Sequence, residues 1–210
     1  MIIIDLFGFL ALSVLLAYKI NFFVLVSQGK ETTKITHNLK KLIGWPIGIT
    51  IGAMSALAVY ILEIPGYYIQ LVDLLITLVF IAIIDLKWKI IPNSLNLAFL
   101  FSQMIASLTF SKTYINIWNL VISFIILLIL MFISKMSKEQ IGMGDVKLIT
   151  IINLVYGLTF TMYSLIFSLF AMLLFCIPLL IMKKVKMKSQ IPFGPFYTLG
   201  TTIYIIMNLI

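Results

Sequence analysis

The sequence has few charged residues and almost none of the side chains that build disulfides or metal clusters. Only 10% of its 210 residues are charged, whereas 62% are hydrophobic. There is one histidine and one cysteine, Cys176, so neither an internal disulfide nor a zinc site can form. Soluble domains are about half apolar and about a quarter charged. This composition therefore excludes a soluble protein and indicates a membrane protein.

Long apolar runs occupy most of the chain. A spanning helix needs about 20 mostly apolar residues. The runs that are long enough lie at 2–26, 43–63, 67–86, 93–110, 114–134, 160–182 and 193–210. A shorter run, 146–158, precedes 160–182, and Asn153, Gly157 and Thr159 mark a break between these two runs. We therefore expect an all-α fold, a polytopic membrane helix bundle of about eight transmembrane helices including one short one.

The lysines, which supply all 15 basic residues, indicate how the helices are threaded through the membrane. With eight spans, four lysine-containing loops fall on one side, and the opposite side receives only Lys112. The four loops lie at 27–42, 87–92, 135–147 and 183–191. The positive-inside rule places them in the cytoplasm and both termini outside. Merging 146–182 into one helix would split the lysines between the two sides, so their distribution supports the short helix.

The net charge of +8 is explained by this topology and by contact with anionic membrane lipid. We predict no nucleic-acid partner, because the lysines form no basic stripe and no aromatic platform for bases accompanies them. Most acidic residues lie in loops or at helix ends, as solvated surface charges do. Asp73 lies inside the third predicted helix, and Lys19 lies inside the first. We favour a structural or interfacial role for Asp73.

Two aspartates share the cytoplasmic side of the predicted bundle. Asp85 ends the third predicted helix, and Asp145 starts the short one after Gly142 and Gly144. Each has an ordinary alternative explanation: Asp85 as a helix-end acid paired with a lysine, and Asp145 as an N-cap. Two adjacent carboxyl groups cannot both ionise easily, so one keeps a proton while the other can activate a water. That chemistry needs no metal and no cofactor.

The predicted helix ends also suggest which aspartate would hold the proton. Asp85 lies at a helix C-terminus, where the helix dipole disfavours negative charge. Asp145 lies at a helix N-terminus, where the dipole favours it. We therefore hypothesise that Asp145 is the ionised partner and Asp85 the protonated one.

At these residues the chain resembles the type IV prepilin peptidases, which belong to the GxGD membrane aspartyl proteases. The order and spacing of the helices agree, and three motifs carry the resemblance. The motifs are Asp85 followed by Ile91-Pro92-Asn93, then Gly142-Met143-Gly144-Asp145-Val146-Lys147-Leu148, and then Ile191-Pro192-Phe193-Gly194-Pro195. The resemblance is strong over 66–210, which we interpret as the peptidase domain. It is looser over 1–65, a two-helix region with a short basic loop, and the whole forms one compact bundle.

The resemblance implies a multi-pass endopeptidase of the cell membrane, with Asp85 and Asp145 as its catalytic pair. It would remove the short basic leader from prepilins or pseudopilins at the cytoplasmic face. Many members also methylate the new N-terminus and carry paired CxxC motifs in the loop after the first helix. The loop 27–42 has no cysteine, so we expect neither a zinc site nor methyltransferase activity.

The remaining motif residues are expected to support the site or the substrate. Pro92 and Asn93 would start the fourth helix. Gly194 and Pro195 would shape the start of the last one. The full set of supporting residues is Gly142, Gly144, Lys147, Pro92, Asn93, Pro192, Gly194 and Pro195.

Two functions other than a peptidase stay open from the residues alone. A small transporter can also hold acids in its helices, but it would place them near the middle of the bilayer rather than at its edge. A non-enzymatic assembly factor of a secretion system would need neither aspartate.

Overall fold

The computed structural model describes residues 14–15, 18–19, 66–111, 116–137, 141–182 and 191–209, and these are helical or connect helices. The five helices of this part are α1 Gly66–Trp88, α2 Asn93–Ala106, α3 Ile117–Met136, α4 Met143–Ile181 and α5 Gly194–Leu209. A π-helical turn, Ser107–Ser111, follows α2. The predicted all-α fold is confirmed for the described residues.

The predicted runs from residue 67 onward each coincide with helix. Among the described residues, three helices are long and apolar enough to cross a membrane: Tyr67–Trp88, Ile117–Met136 and Met143–Leu179. With 14 and 16 residues, α2 and α5 are shorter than the roughly 20 residues of a perpendicular span. The predicted helices near 2–26 and 43–63 lie outside the described residues, apart from four positions in the first. The number of eight spans and the boundary at residue 65 therefore stay predictions.

The longest helix, α4, is two helices joined at a sharp break. Gly157 has φ 84° and ψ 174°, a backbone conformation that is essentially restricted to glycine. Without a break, its 39 residues would extend about 58 Å, nearly twice the thickness of the hydrocarbon core. The predicted short helix followed by a long one is therefore confirmed, with the division at Gly157.

The contacts divide the chain into two units. The first unit comprises 1–80 and 93–114, and the second comprises 81–92 and 115–210. Within the second unit, α4 packs against both α3 and α5. Gly200 of α5 lies directly on α4, because a Cβ at this position would collide with the side chain and backbone nitrogen of Ser168. Asn153 of α4 donates a hydrogen bond of 2.7 Å to the Ser123 hydroxyl of α3. Small and polar side chains thus hold these helices together, as they do in lipid.

The first unit contains a buried ion pair. The Lys19 ammonium, fully buried, lies 2.8 Å from Oδ1 of Asp73. It also donates to the hydroxyls of Thr77 and Ser102, at 2.6 and 2.8 Å. The other carboxylate oxygen of Asp73 accepts from Ser102 and from the Gln103 amide, at 2.7 and 2.9 Å. Each charge thus has several hydrogen-bonding partners, which a buried pair needs to offset its desolvation.

Candidate active site

Asp85 lies in the last turn of α1 and is buried, with 5% of its surface exposed. Its Oδ2 accepts a hydrogen bond of 2.7 Å from the backbone N–H of Gly194, and the N–H of Phe193 also donates to the carboxylate. Gly194 is the first residue of α5 and Phe193 directly precedes it; the Tyr197 N–H closes the first helical turn onto the Phe193 carbonyl at 3.0 Å. The first N–H groups of a helix have no partner within the helix. Asp85 therefore occupies a ready-made anion site at the N-terminus of α5.

The chain turns sharply just after Asp85. Lys89 has φ 54°, the left-handed conformation, and its N–H donates to the Asp85 carbonyl at 2.8 Å. This pattern is the αL motif that ends many helices, although glycine usually holds the left-handed position. The Lys89 ammonium also attracts the Asp85 carboxylate. This turn could not be predicted from the residue type, since lysine seldom adopts a positive φ.

Asp145 is the third residue of α4. The first helical hydrogen bond runs from the Val146 N–H to the Gly142 carbonyl, at 3.2 Å, which makes Gly142 the N-cap. The Asp145 carboxylate accepts from the Gly142 N–H, as the acidic residue of a capping box does. The alternative interpretation of Asp145 as the N-cap is thus wrong by three positions. Its Oδ1 is buried and has no hydrogen-bond partner among the described residues.

The two glycines before Asp145 make space for close packing. A Cβ at Gly142 would lie 2.8 Å from Oδ2 of Asp145. A Cβ at Gly144 would lie 2.7 Å from the Ile91 Cβ and 2.8 Å from the Ile91 carbonyl oxygen. Gly142 therefore lets the carboxylate fold back onto the backbone, and Gly144 lets the start of α4 pack on the segment that follows α1.

This packing brings the two carboxyl groups together, near enough that Asp85 repels a negative charge on Asp145. Each carboxyl group lies at the N-terminus of a helix: Asp85 at α5 and Asp145 at α4. The hypothesis that Asp145 is the ionised partner considered only the C-terminus of α1 and missed α5. Asp85 therefore lies between the C-terminus of α1, which disfavours its negative charge, and the N-terminus of α5, which favours it, and the identity of the ionised partner stays a prediction.

The other predicted site residues lie at or near the starts of α2, α4 and α5. Of these, Gly194 contacts Asp85 through its backbone. Pro92 is half-buried and directly precedes α2, which begins at Asn93 as predicted. Pro192 precedes α5, and Pro195 is its second residue. Lys147 is half-buried on α4 at a spacing from Asp145 where helical side chains do not face each other.

Sequence reasoning missed two residues that contribute to the site through their backbone. Ile91 provides the surface against which Gly144 packs, and Phe193 provides an N–H donor to Asp85. A residue that contributes only backbone atoms can be of any type, so its identity does not reveal its role. Only the positions of Ile91 and Phe193 beside the motifs could have indicated them. In the part of the chain that the structure describes, no three His, Cys, Asp or Glu side chains are grouped in a way that could hold a metal ion.

A model of the type IV leader peptidase family matches residues 73–177, which is half of the chain and includes both aspartates. The chain belongs to the type IV leader peptidase family. No curated protein and no solved structure matches it. The three long apolar helices fit a membrane protein, as this family requires. The match ends before α5, so the contact between Gly194 and Asp85 comes from the structure alone.

Proposed function

We propose that this leader peptidase is a membrane-embedded aspartic endopeptidase that removes the short basic leader from type IV prepilins or pseudopilins. The observation that carries the proposal is the approach of Asp85 and Asp145 within the region that the family model matches. The lysine distribution supports cleavage at the cytoplasmic face. We expect no N-methylation of the product, because the loop 27–42 has no cysteine.

The arrangement suits water activation between two carboxyl groups. Like charges in close proximity disfavour double ionisation, so the pair holds one proton between them. The ionised carboxylate accepts a proton from a water, and the protonated carboxyl polarises the scissile carbonyl. The buried Oδ1 of Asp145 is the oxygen that we assign to the water, since it has no partner among the described residues. The backbone donors at Gly142 and Gly194 hold the other oxygens in place.

The decisive test is a cleavage assay in detergent or membranes, with a prepilin-like substrate whose basic leader ends in glycine. Asp85→Asn and Asp145→Asn should each lower the cleavage rate by about 100-fold or more, because each removes an acid–base group. Asp5→Asn serves as the matched control, since it alters an acid at the predicted outer end of the first helix. Expression and thermal unfolding of every variant are measured in parallel.

Two results would overturn the proposal. The first is full cleavage by either folded site variant, which would remove the aspartic mechanism. The second is the absence of cleavage by the wild-type protein with several leaders of this type, which would remove the substrate class.

A further inference from the structure

Ser134 lies near the end of α3 and is buried, with 1% of its surface exposed. Its hydroxyl donates a hydrogen bond of 2.8 Å to the carbonyl of Ile141, seven residues further along the chain. Other hydroxyls on these helices behave differently: those of Thr150, Thr161 and Thr198 donate to the carbonyl four residues back in their own helix. This internal bond is the common one for a helical hydroxyl. Ser134 instead makes its bond outside its helix.

The helix end does not require this bond. Ser137 caps α3, with its N–H directed to the carbonyls of Ile133 and Lys135 and its hydroxyl 2.8 Å from the Ile133 carbonyl. The carbonyl that Ser134 binds belongs to the segment that leads into α4.

The Ile141 carbonyl and the Gly142 N–H belong to the same peptide group. The Asp145 carboxylate folds back onto Gly142, with Oδ2 2.8 Å from the position that a Cβ of this glycine would take, and accepts from its N–H. A peptide group is planar, so fixing the direction of its carbonyl also fixes the direction of its N–H. Hydrogen bonds in such a chain also polarise and strengthen one another. The hydroxyl of Ser134 is thereby connected to the carboxylate of Asp145 through one rigid group.

We propose that Ser134 is a positioning residue for Asp145, acting through the peptide group between Ile141 and Gly142. The claim that Ser134 affects catalysis rests on the proposed function. The claim about the hydrogen-bond chain is independent of any activity. Neither the sequence motifs nor the family match points to Ser134.

The kinetic test compares three variants of the full-length protein in the cleavage assay. Ser134→Ala should lower kcat by about 3- to 10-fold, the effect of one hydrogen bond, with KM unchanged. Ser134→Thr keeps the hydroxyl and should restore kcat. Ser137→Ala is the matched control, because it removes a hydroxyl from the same helix end without touching the Ile141–Gly142 peptide, and it should equal the wild type. Wild-type kcat in Ser134→Ala, or an equal loss in Ser134→Thr, overturns the proposal.

A second measurement needs no cleavage. In protein labelled with ¹⁵N-glycine, the Gly142 amide signal is assigned by its loss in Gly142→Ala. Asp145→Asn should move this amide proton upfield as its acceptor loses charge, and Ser134→Ala should move it in the same direction by a smaller amount. Ser134→Thr and Ser137→Ala should leave it in place. An unmoved signal in Ser134→Ala overturns the proposal, even if the wild type cleaves. If the wild type does not cleave but the signal moves as described, the proposed function fails and the hydrogen-bond chain stands.

Discussion

At the scale of single residues, Gly194 contributes both space and a hydrogen-bond donor to Asp85. A Cβ at this position would lie 3.1 Å from both the Cβ and the Oδ2 of Asp85, closer than most such contacts. The N–H donates to the carboxylate at 2.7 Å. The two contributions can be separated, because alanine adds a Cβ and keeps the N–H, whereas proline adds a Cβ and removes the N–H. Proline is also well accepted at the first position of a helix.

We therefore predict that Gly194→Pro is much less active than Gly194→Ala. Hydrogen bonds to charged groups contribute about 1.5–3 kcal/mol, so the ratio of the two cleavage rates should be about 10- to 100-fold. Rates are measured in the prepilin cleavage assay on variants with equal thermal unfolding temperatures. Equal activity of the two variants would show that only the space at position 194 matters.

At the scale of elements, the short first part of α4 presents Asp145. This part ends at Gly157, so its length is set by the break rather than by the thickness of a membrane. Its first turn is held by Gly142 and packed on Ile91 through Gly144. A short helix fixed at its N-terminus in this way gives the carboxylate a defined position beside the end of α1.

The buried ion pair between Lys19 and Asp73 joins three parts of the first unit. It connects the N-terminal segment to the first half of α1 and, through Ser102 and Gln103, to α2. A lysine and an aspartate in apolar helices are costly unless they are paired. The structure thus supports the structural role that we favoured for Asp73.

Removing one partner of this ion pair should destabilise the protein. We predict that Lys19→Met and Asp73→Leu each lower the free energy of unfolding by about 3–5 kcal/mol, because each leaves one buried charge unpaired. The double variant should lose clearly less than the sum of the two. Unfolding is followed in detergent by heat or denaturant, with Lys135→Met, an exposed lysine at the end of α3, as the control. Additive losses would contradict a direct pair.

At the scale of the whole molecule, the break at Gly157 has a consequence for topology. If both parts of α4 cross or enter the bilayer separately, the loops 27–42 and 183–191 face the same side. If the two parts form one crossing, these loops face opposite sides, which would contradict the positive-inside rule.

The single cysteine makes this prediction directly testable. After Cys176→Ser, new cysteines are placed at Lys30, Lys184 and Thr113, one in each variant. A membrane-impermeant maleimide applied to intact cells should label only the Thr113→Cys protein, since the other two positions are predicted to be cytoplasmic. Permeabilised cells, in which all three should react, provide the control. Labelling of the Lys184→Cys protein in intact cells would contradict the predicted threading.

The amino-acid sequence by itself determined the helical class, the positions of the helices from residue 67 onward and the break near Gly157. These features follow from local properties: long apolar runs, glycine at a conformation that other residues avoid, and proline before a helix start. The sequence also pointed to Asp85, Asp145 and the glycines that precede the second aspartate as candidate site residues, because each aspartate stands in a short motif whose chemistry depends on residue type.

Only the tertiary structure decided how the carboxyl groups are held. The donors to Asp85 come from backbone groups of Phe193 and Gly194, more than a hundred residues away, and a backbone donor leaves no trace in the residue type. Ser134 could not be predicted from the sequence for the same reason, because its hydroxyl binds a backbone carbonyl rather than a side chain. The hypothesis about the protonated aspartate failed to include α5, because a helix dipole acts through space and the sequence gives only neighbours along the chain.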